Sequence, residues 1–114
     1  MAKPTAEDLK WPITLQRALK TRNGFNEEVD DWIDIAVVGA KVTDATAGEA
    51  YRAAEVGAQI SARFVIRWSP EVAGVAPADR VLFNGRHYNI TAVREFERGE
   101  WREIDAVARA EAST

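Results

Sequence analysis

The 114-residue sequence contains no cysteine, so it can build neither a disulfide framework nor thiol chemistry. Its single histidine, His87, excludes a zinc site made from paired histidines, and the strand phase around it predicts a surface side chain. Positive charge is not in excess: the formal net charge is −3, where a dedicated nucleic-acid binder carries a basic balance. Long hydrophobic runs are missing as well. The longest, Ile35 to Ala40, falls far short of a membrane span, and the N-terminal MAKPTAEDLK lacks the apolar stretch of a secretory signal. No P-loop, G-x-G-x-x-G or G-x-S-x-G is present, and the acidic run Glu27–Asp31 lacks the alternating ligands and central glycine of a calcium loop. These absences leave a soluble, cytoplasmic, mostly β domain for which no cofactor, metal or catalytic residue is expected.

What is present is organised around Asp79 to Ala108. The apolar run Val81-Leu82-Phe83 is followed at once by Asn84-Gly85, the dipeptide that best tolerates the two positive φ angles of a type I′ turn. Beyond it Tyr88, Ile90 and Ala92 alternate with His87, Asn89 and Thr91, the period of a strand with one buried face. A polar turn spans Glu95 to Glu100. The chain re-enters extended structure at Trp101, with Ile104 and Ala106 facing in and Glu103 and Asp105 out. The pattern predicts a three-stranded antiparallel meander, with strands at 80–83, 86–93 and 101–108.

Three further strands are expected, at 12–19, 32–42 and 59–68. In the first, Ile13, Leu15, Arg17 and Leu19 alternate with Thr14, Gln16 and Ala18; a helix also fits the spacing, but Pro12 and the β-branched residues favour a strand. Asn23-Gly24 marks a turn, and Glu27–Asp31 is expected as solvated loop. Trp32 to Val42 is apolar on both faces, with Ile33, Ile35 and Val37 on one and Ala36, Val38, Ala40 and Val42 on the other. Gly39 is expected at a bulge or sharp bend. In the third strand Ile60, Ala62, Phe64, Ile66 and Trp68 face in, while Ser61, Arg63, Val65 and Arg67 face out. The result is a mainly β fold, a small antiparallel barrel or sandwich with one short helix or long loop inserted. One domain at 11–108 is expected, with a disordered or partner-ordered arm at 1–10, a protruding segment at 43–58 and a flexible tail at 109–114.

Two residue types stand out. Arg63, Arg67, Arg80, Arg86, Arg94, Arg98 and Arg102 crowd the strand-rich half, either as ordinary soluble surface or as contacts to neighbouring subunits. Among four tryptophans, Trp32 and Trp68 suit the core, whereas Trp11 and Trp101 sit near strand starts and suit a rim or interface. Arg63, Arg67, Arg86, Arg94 and Trp101 are therefore the candidate subunit-interface residues.

The order of these features resembles a known family. Trp32 opens a strand ending in Ala40-Lys41-Val42, and Gly48-Glu49 follows in a small-residue segment. Then come Phe64-Val65-Ile66-Arg67-Trp68 with a proline soon after, Asp79-Arg80-Val81, and Asn84-Gly85-Arg86-His87-Tyr88-Asn89-Ile90, before Val93 and Trp101-Arg102-Glu103-Ile104. From Leu15 to Ala108 the chain resembles the tailed-phage head–tail joining proteins, also called head-closure, stopper or head–tail adaptor proteins. They occur in phages, prophages and gene-transfer agents.

The resemblance implies a structural virion protein, assembled in the host cytoplasm. It implies a homo-oligomeric ring with the portal or adaptor ring above and a tail-terminator or tail-tube protein below. Double-stranded DNA would pass the lumen without specific binding, and no membrane is involved. A channel-closing element would fall in 43–58, whose small side chains suit close packing of several copies near an axis: Thr43, Asp44, Gly48, Glu49, Tyr51, Arg52, Glu55 and Gly57 are its candidate residues, in a short helix or a loop. The alternative is a small β-barrel binding module for a peptide or single-stranded nucleic acid. It needs exposed aromatics on a basic sheet face, whereas Phe64, Trp68 and Tyr88 fall on the inward phase.

Overall fold

Asn84 and Gly85 adopt φ of 52° and 76°, the two left-handed residues of a tight hairpin turn. They join Arg80–Phe83 to Arg86–Phe96 in a computed structural model that describes residues 5–44 and 59–109. The described strands are β1 (Trp11–Arg22), β2 (Glu28–Asp44), β3 (Gln59–Arg67), β4 (Arg80–Phe83), β5 (Arg86–Phe96) and β6 (Trp101–Arg109). They pair antiparallel in the order β1-β2-β3-β6-β5-β4, and β4 returns to β1 to close a barrel. Of the two architectures the pattern allowed, the barrel is the one formed, and it has no free edge where it closes.

Phe64 sits at the centre, fully buried, with edge-on contacts to Phe83 at 5.7 Å and Tyr88 at 5.4 Å between ring centroids. Ile13, Leu15, Ile66, Val81, Ile90 and Ile104 complete the apolar interior, and Ala36, Ala40, Ala62, Ala106 and Ala108 keep it narrow on the β2, β3 and β6 side. The stretch between β3 and β4 contributes Val72 and Val75 to the same core; a 3-10 turn at Pro70–Val72 holds them there.

Several sequence expectations are corrected. Residues 28–31 of the acidic run are not loop but the start of β2, paired from Arg22↔Glu28 to Leu19↔Asp31. The turn is confined to residues 23–27, where the Asn23 side chain accepts the backbone N–H groups of Phe25 and Glu27. The bulge in β2 is not at Gly39. Leu15 pairs with Ala36 and Gln16 with Asp34, so Ile35 is the extra residue, and it reverses the facing of everything before it. Ile33 therefore does not share a face with Val37; it shares one with Leu19 and the barrel interior. Gly39 pairs regularly with Pro12, and a Cβ on it would lie 2.4 Å from the Leu9 carbonyl oxygen, so glycine is required by that close approach.

A second bulge, at Thr91, moves Ala92 to the outer face opposite Asp105 and turns Val93 inward opposite Ile104. Leu19 is exposed. Trp68, expected in the core, lies just past the end of β3 and is 41% exposed, whereas Val65, expected outside, is buried.

Because β4 pairs with only Thr14, Leu15 and Gln16 of β1, the rest of the β1–β2 hairpin runs past the barrel as a two-stranded ribbon. At its base Gln16 bridges Arg80 and Asp34, both at 2.8 Å, and Arg80 stacks on Trp32. Residues 5–10 return against β2 on the outer side of Gly39. There a 3-10 turn at Ala6–Asp8 is held by the Thr5 N–H donating to Asp8, and that bond leads the causes lowering the Asp8 carboxyl pKa.

Candidate functional site

Alternation places Arg63, Val65 and Arg67 of β3, Trp101, Glu103 and Asp105 of β6, and Arg94 and Phe96 of β5 together on the outside of the barrel. Four of them form a charged plate. Arg94 donates to Glu103 and to Asp105 at 2.6 Å each, and Arg63 donates to Asp105 at 2.9 Å. Glu103 is almost fully covered, and its Oε2 has no hydrogen-bond partner. Burial pushes the Asp105 carboxyl up, but hydrogen bonds from Arg94 and Arg63 outweigh it and hold the group below its ordinary value. The same bond to Asp105, with that to Glu103, raises the Arg94 guanidinium.

Beside the plate Trp101 is 2% exposed, stacked on Phe96 at 6.5 Å and covered by the Arg67 guanidinium at 5.4 Å from its ring. Of the candidate interface residues, then, Arg63, Arg67, Arg94 and Trp101 come together on one outer face. Arg86 stands apart at the start of β5, half-buried opposite Phe83. Arg63 and Arg94 are neutralised within the chain, so what this face offers a neighbour is a rigid mixed-charge surface and not loose cations. Thr43 and Asp44 end β2; Gly48, Glu49, Tyr51, Arg52, Glu55 and Gly57 lie outside the described residues.

Sequence reasoning missed a second surface, the ribbon. One of its faces continues the barrel interior and carries Leu19, Val29 and Ile33, all more than a third exposed. The other carries Trp32 and the ion pair of Lys20 with Asp30. At the tip Phe25 is 85% exposed. The signal was available: Leu19, Val29 and Ile33 read as one apolar row once Arg22 is paired with Glu28. A third surface lies near the other end of β2, where Leu9, Val38, Gly39, Arg67, Trp68 and Ser69 line an open cleft of about 370 Å³. His87 is exposed on β5, as expected of it.

Among the described residues no group of His, Cys, Asp and Glu is arranged to hold a metal ion. The three surfaces are suited to protein contact: apolar, self-neutralised or lightly charged, on a barrel whose interior is filled.

Comparison with known proteins agrees with that character. No curated protein matches the sequence. In the virion of a native gene transfer agent particle, one chain is 27% identical and superposes with a TM-score of 0.67, covering 96% of this chain and 100% of that one. The solution structure of protein SF1141 from Shigella flexneri 2a, 23% identical, shares the fold with a TM-score of 0.63 over 93% of this chain and 96% of that one. The family model described as phage head completion protein matches residues 4–109, which is nearly the whole chain. The chain therefore belongs to the phage head completion proteins, and it is a structural component of the virion at the head–tail connector, not an enzyme.

Proposed function

We propose that the protein forms a homo-oligomeric ring beneath the portal or adaptor ring, closes the DNA channel of the filled head, and presents the surface on which the tail docks. The observation that carries this reading is the full-length likeness to a chain of a gene transfer agent virion. The surfaces support it. A ring needs two unlike patches on each subunit, so that side-to-side contacts repeat and close. The barrel provides a projecting ribbon at one place and an open cleft at another.

In this reading the channel-closing element is the alanine- and glycine-rich sequence between β2 and β3, where small side chains let several copies crowd an axis. The net charge of −3 suits a lumen through which DNA slides without being held. The neighbours are the portal or adaptor ring on the head side and a tail-terminator or tail-tube protein on the other.

Removing the gene tests the function. Heads should fill and then lose DNA, and free tails should accumulate; supplying the protein in trans should restore tailed, full particles. Tailed particles produced at normal yield without it would refute the proposal. Replacing residues 45–56 by a short glycine linker tests the closing element separately. A folded variant that joins tails but leaks DNA supports the assignment, and full infectious particles overturn it.

A further inference from the structure

The ribbon and the cleft fit each other in chemistry but cannot meet within one chain. Phe25, the most exposed large apolar side chain described, stands at the ribbon tip with Leu19, Val29 and Ile33 behind it. Around it Glu27, Glu28 and Asp31 form no ion pair among the described residues, since Lys20 is taken by Asp30. The cleft has apolar walls at Leu9 and Trp68; between them run Val38, whose side chain packs against the core, and Gly39, whose outer side the Leu9 carbonyl approaches. Three cations border the cleft: Arg67 lines it, Lys10 follows Leu9, and Lys41 is the next outward residue of β2 after Gly39; Asp8 lies close enough to feel both lysines, and Glu100 sits beside Trp68. β2 itself holds the two features apart. From Glu28 to Gly39 the strand spans roughly 35 Å at about 3.3 Å per residue, so the tip reaches a cleft only on another molecule.

We propose that the ribbon tip of one copy docks into the Leu9–Trp68 cleft of the next, with Phe25 as the inserted side chain and Glu27 and Glu28 facing Arg67 and Lys41. This rests on the ring reading above and supplies the contact that closes it. Donor and acceptor are different patches of the same chain, so the contact is heterologous and repeats around a ring without consuming either patch. It also gives the ribbon tip a purpose: Phe25 would otherwise meet water at the end of a two-stranded hairpin that no other described strand flanks.

The absence of cysteine makes the test clean. Phe25→Cys and Ser69→Cys are combined in one chain and assembled into particles, which are treated with a mild oxidant or, in parallel, a bismaleimide. Neither position is in the core, so the fold is retained. Non-reducing electrophoresis should show a ladder of covalent multimers up to the ring number, and each single variant should give no ladder. Particles holding several copies but giving only monomer with both reagents would overturn the contact and leave the ring standing. Dimers alone would mean a two-fold contact and overturn it. Linkage of the Phe25→Cys thiol to a different virion protein would move the ribbon to a neighbouring ring and overturn it too. Particles holding one copy would bring down the ring reading, and the contact with it.

Charge reversal gives a second measurement. Glu27→Lys with Glu28→Lys should lower the yield of tailed particles about tenfold, and Lys41→Glu with Arg67→Glu should restore it. Undiminished yield from the first pair would overturn the charge pairing.

Discussion

Arg17 of β1 lies flat against Asp79 at the foot of β4: Nε donates to Oδ1 at 3.1 Å and Nη2 to Oδ2 at 3.2 Å, a two-pronged ion pair at the mouth of the barrel. Asp79 is buried, and it also accepts the N–H of Ala76; Arg17 reaches on to the carbonyl of Gly74. The pair thus pins the stretch that carries Val72 and Val75 to the strand from which the ribbon grows.

Asp79→Ala should destabilise the domain by about 2–3 kcal/mol, because it removes at once the acceptor of the Ala76 N–H and of both Arg17 bonds. Arg17→Ala should cost less, since Arg17 is 42% exposed and water can take over its role toward Asp79 in part. Urea unfolding measures both. Equal losses, or a larger one for Arg17→Ala, would contradict the assignment of Asp79 as the hub.

Two glycines in turns should respond oppositely to alanine. Gly85 has φ of 76° and nothing near its Cβ position, so Gly85→Ala should cost about 1 kcal/mol through backbone strain alone. Gly24 also has open space but no positive φ. Gly24→Ala should be neutral or stabilise by about 0.5 kcal/mol, by restricting the unfolded chain. Denaturant midpoints for the two variants, shifted in opposite directions, check the pair.

These turns also mark how far the fold was legible. Asn84-Gly85 is a local signal, and β4 was readable to the residue, because turn chemistry and period-2 alternation both act within a few positions. The first half of β2 was not. Glu28, Asp30 and Asp31 look like solvated loop until they are paired with Arg22, Lys20 and Leu19, and that pairing is set by the register of a hairpin closed at Asn23. Alternation gives the side of a sheet on which a residue lies but not what covers that side. So Glu103, Val65 and Trp101 were placed on the outer face without their burial, which depends on long neighbours such as Arg63, Arg94 and Arg67. The bulges at Ile35 and Thr91 add single-residue phase changes that leave no mark in composition. The ribbon–cleft contact proposed above would join Phe25 to Leu9 and Trp68, which share no periodic pattern in the sequence.

Gly39 is a different kind of position. Its backbone would suit any residue, but an added Cβ would meet the Leu9 carbonyl at 2.4 Å, a backbone atom that cannot swing aside. Gly39→Ala should therefore lift residues 5–10 off β2 while the barrel stays closed. The expected readout is faster amide exchange and faster proteolytic clipping before Trp11, with a stability loss of about 1–3 kcal/mol from the displaced packing. Unchanged protection across residues 5–10 would show that the contact is not maintained in solution.

The charged plate should be felt in acid. In the folded state the Asp105 carboxyl is held below its ordinary value by Arg94 and Arg63, whose hydrogen bonds outweigh the opposing effect of burial. In the unfolded chain it titrates near the usual value of about 3.9. A carboxyl depressed by folding stabilises the native state fully above its unfolded pKa, and that contribution disappears as pH falls through the folded pKa. The Asp8 carboxyl is lowered as well, by its bond from the Thr5 N–H, so the pH dependence of one protein would not isolate Asp105. The difference between wild type and Asp105→Asn does, because the other groups are common to both. Thermal midpoints should differ by a constant amount from pH 7 down to about pH 5, and the gap should close as pH falls below about 4. A gap that stays constant to about pH 2, or widens there, would mean that the ionised form of Asp105 contributes nothing to holding β5 and β3 against β6.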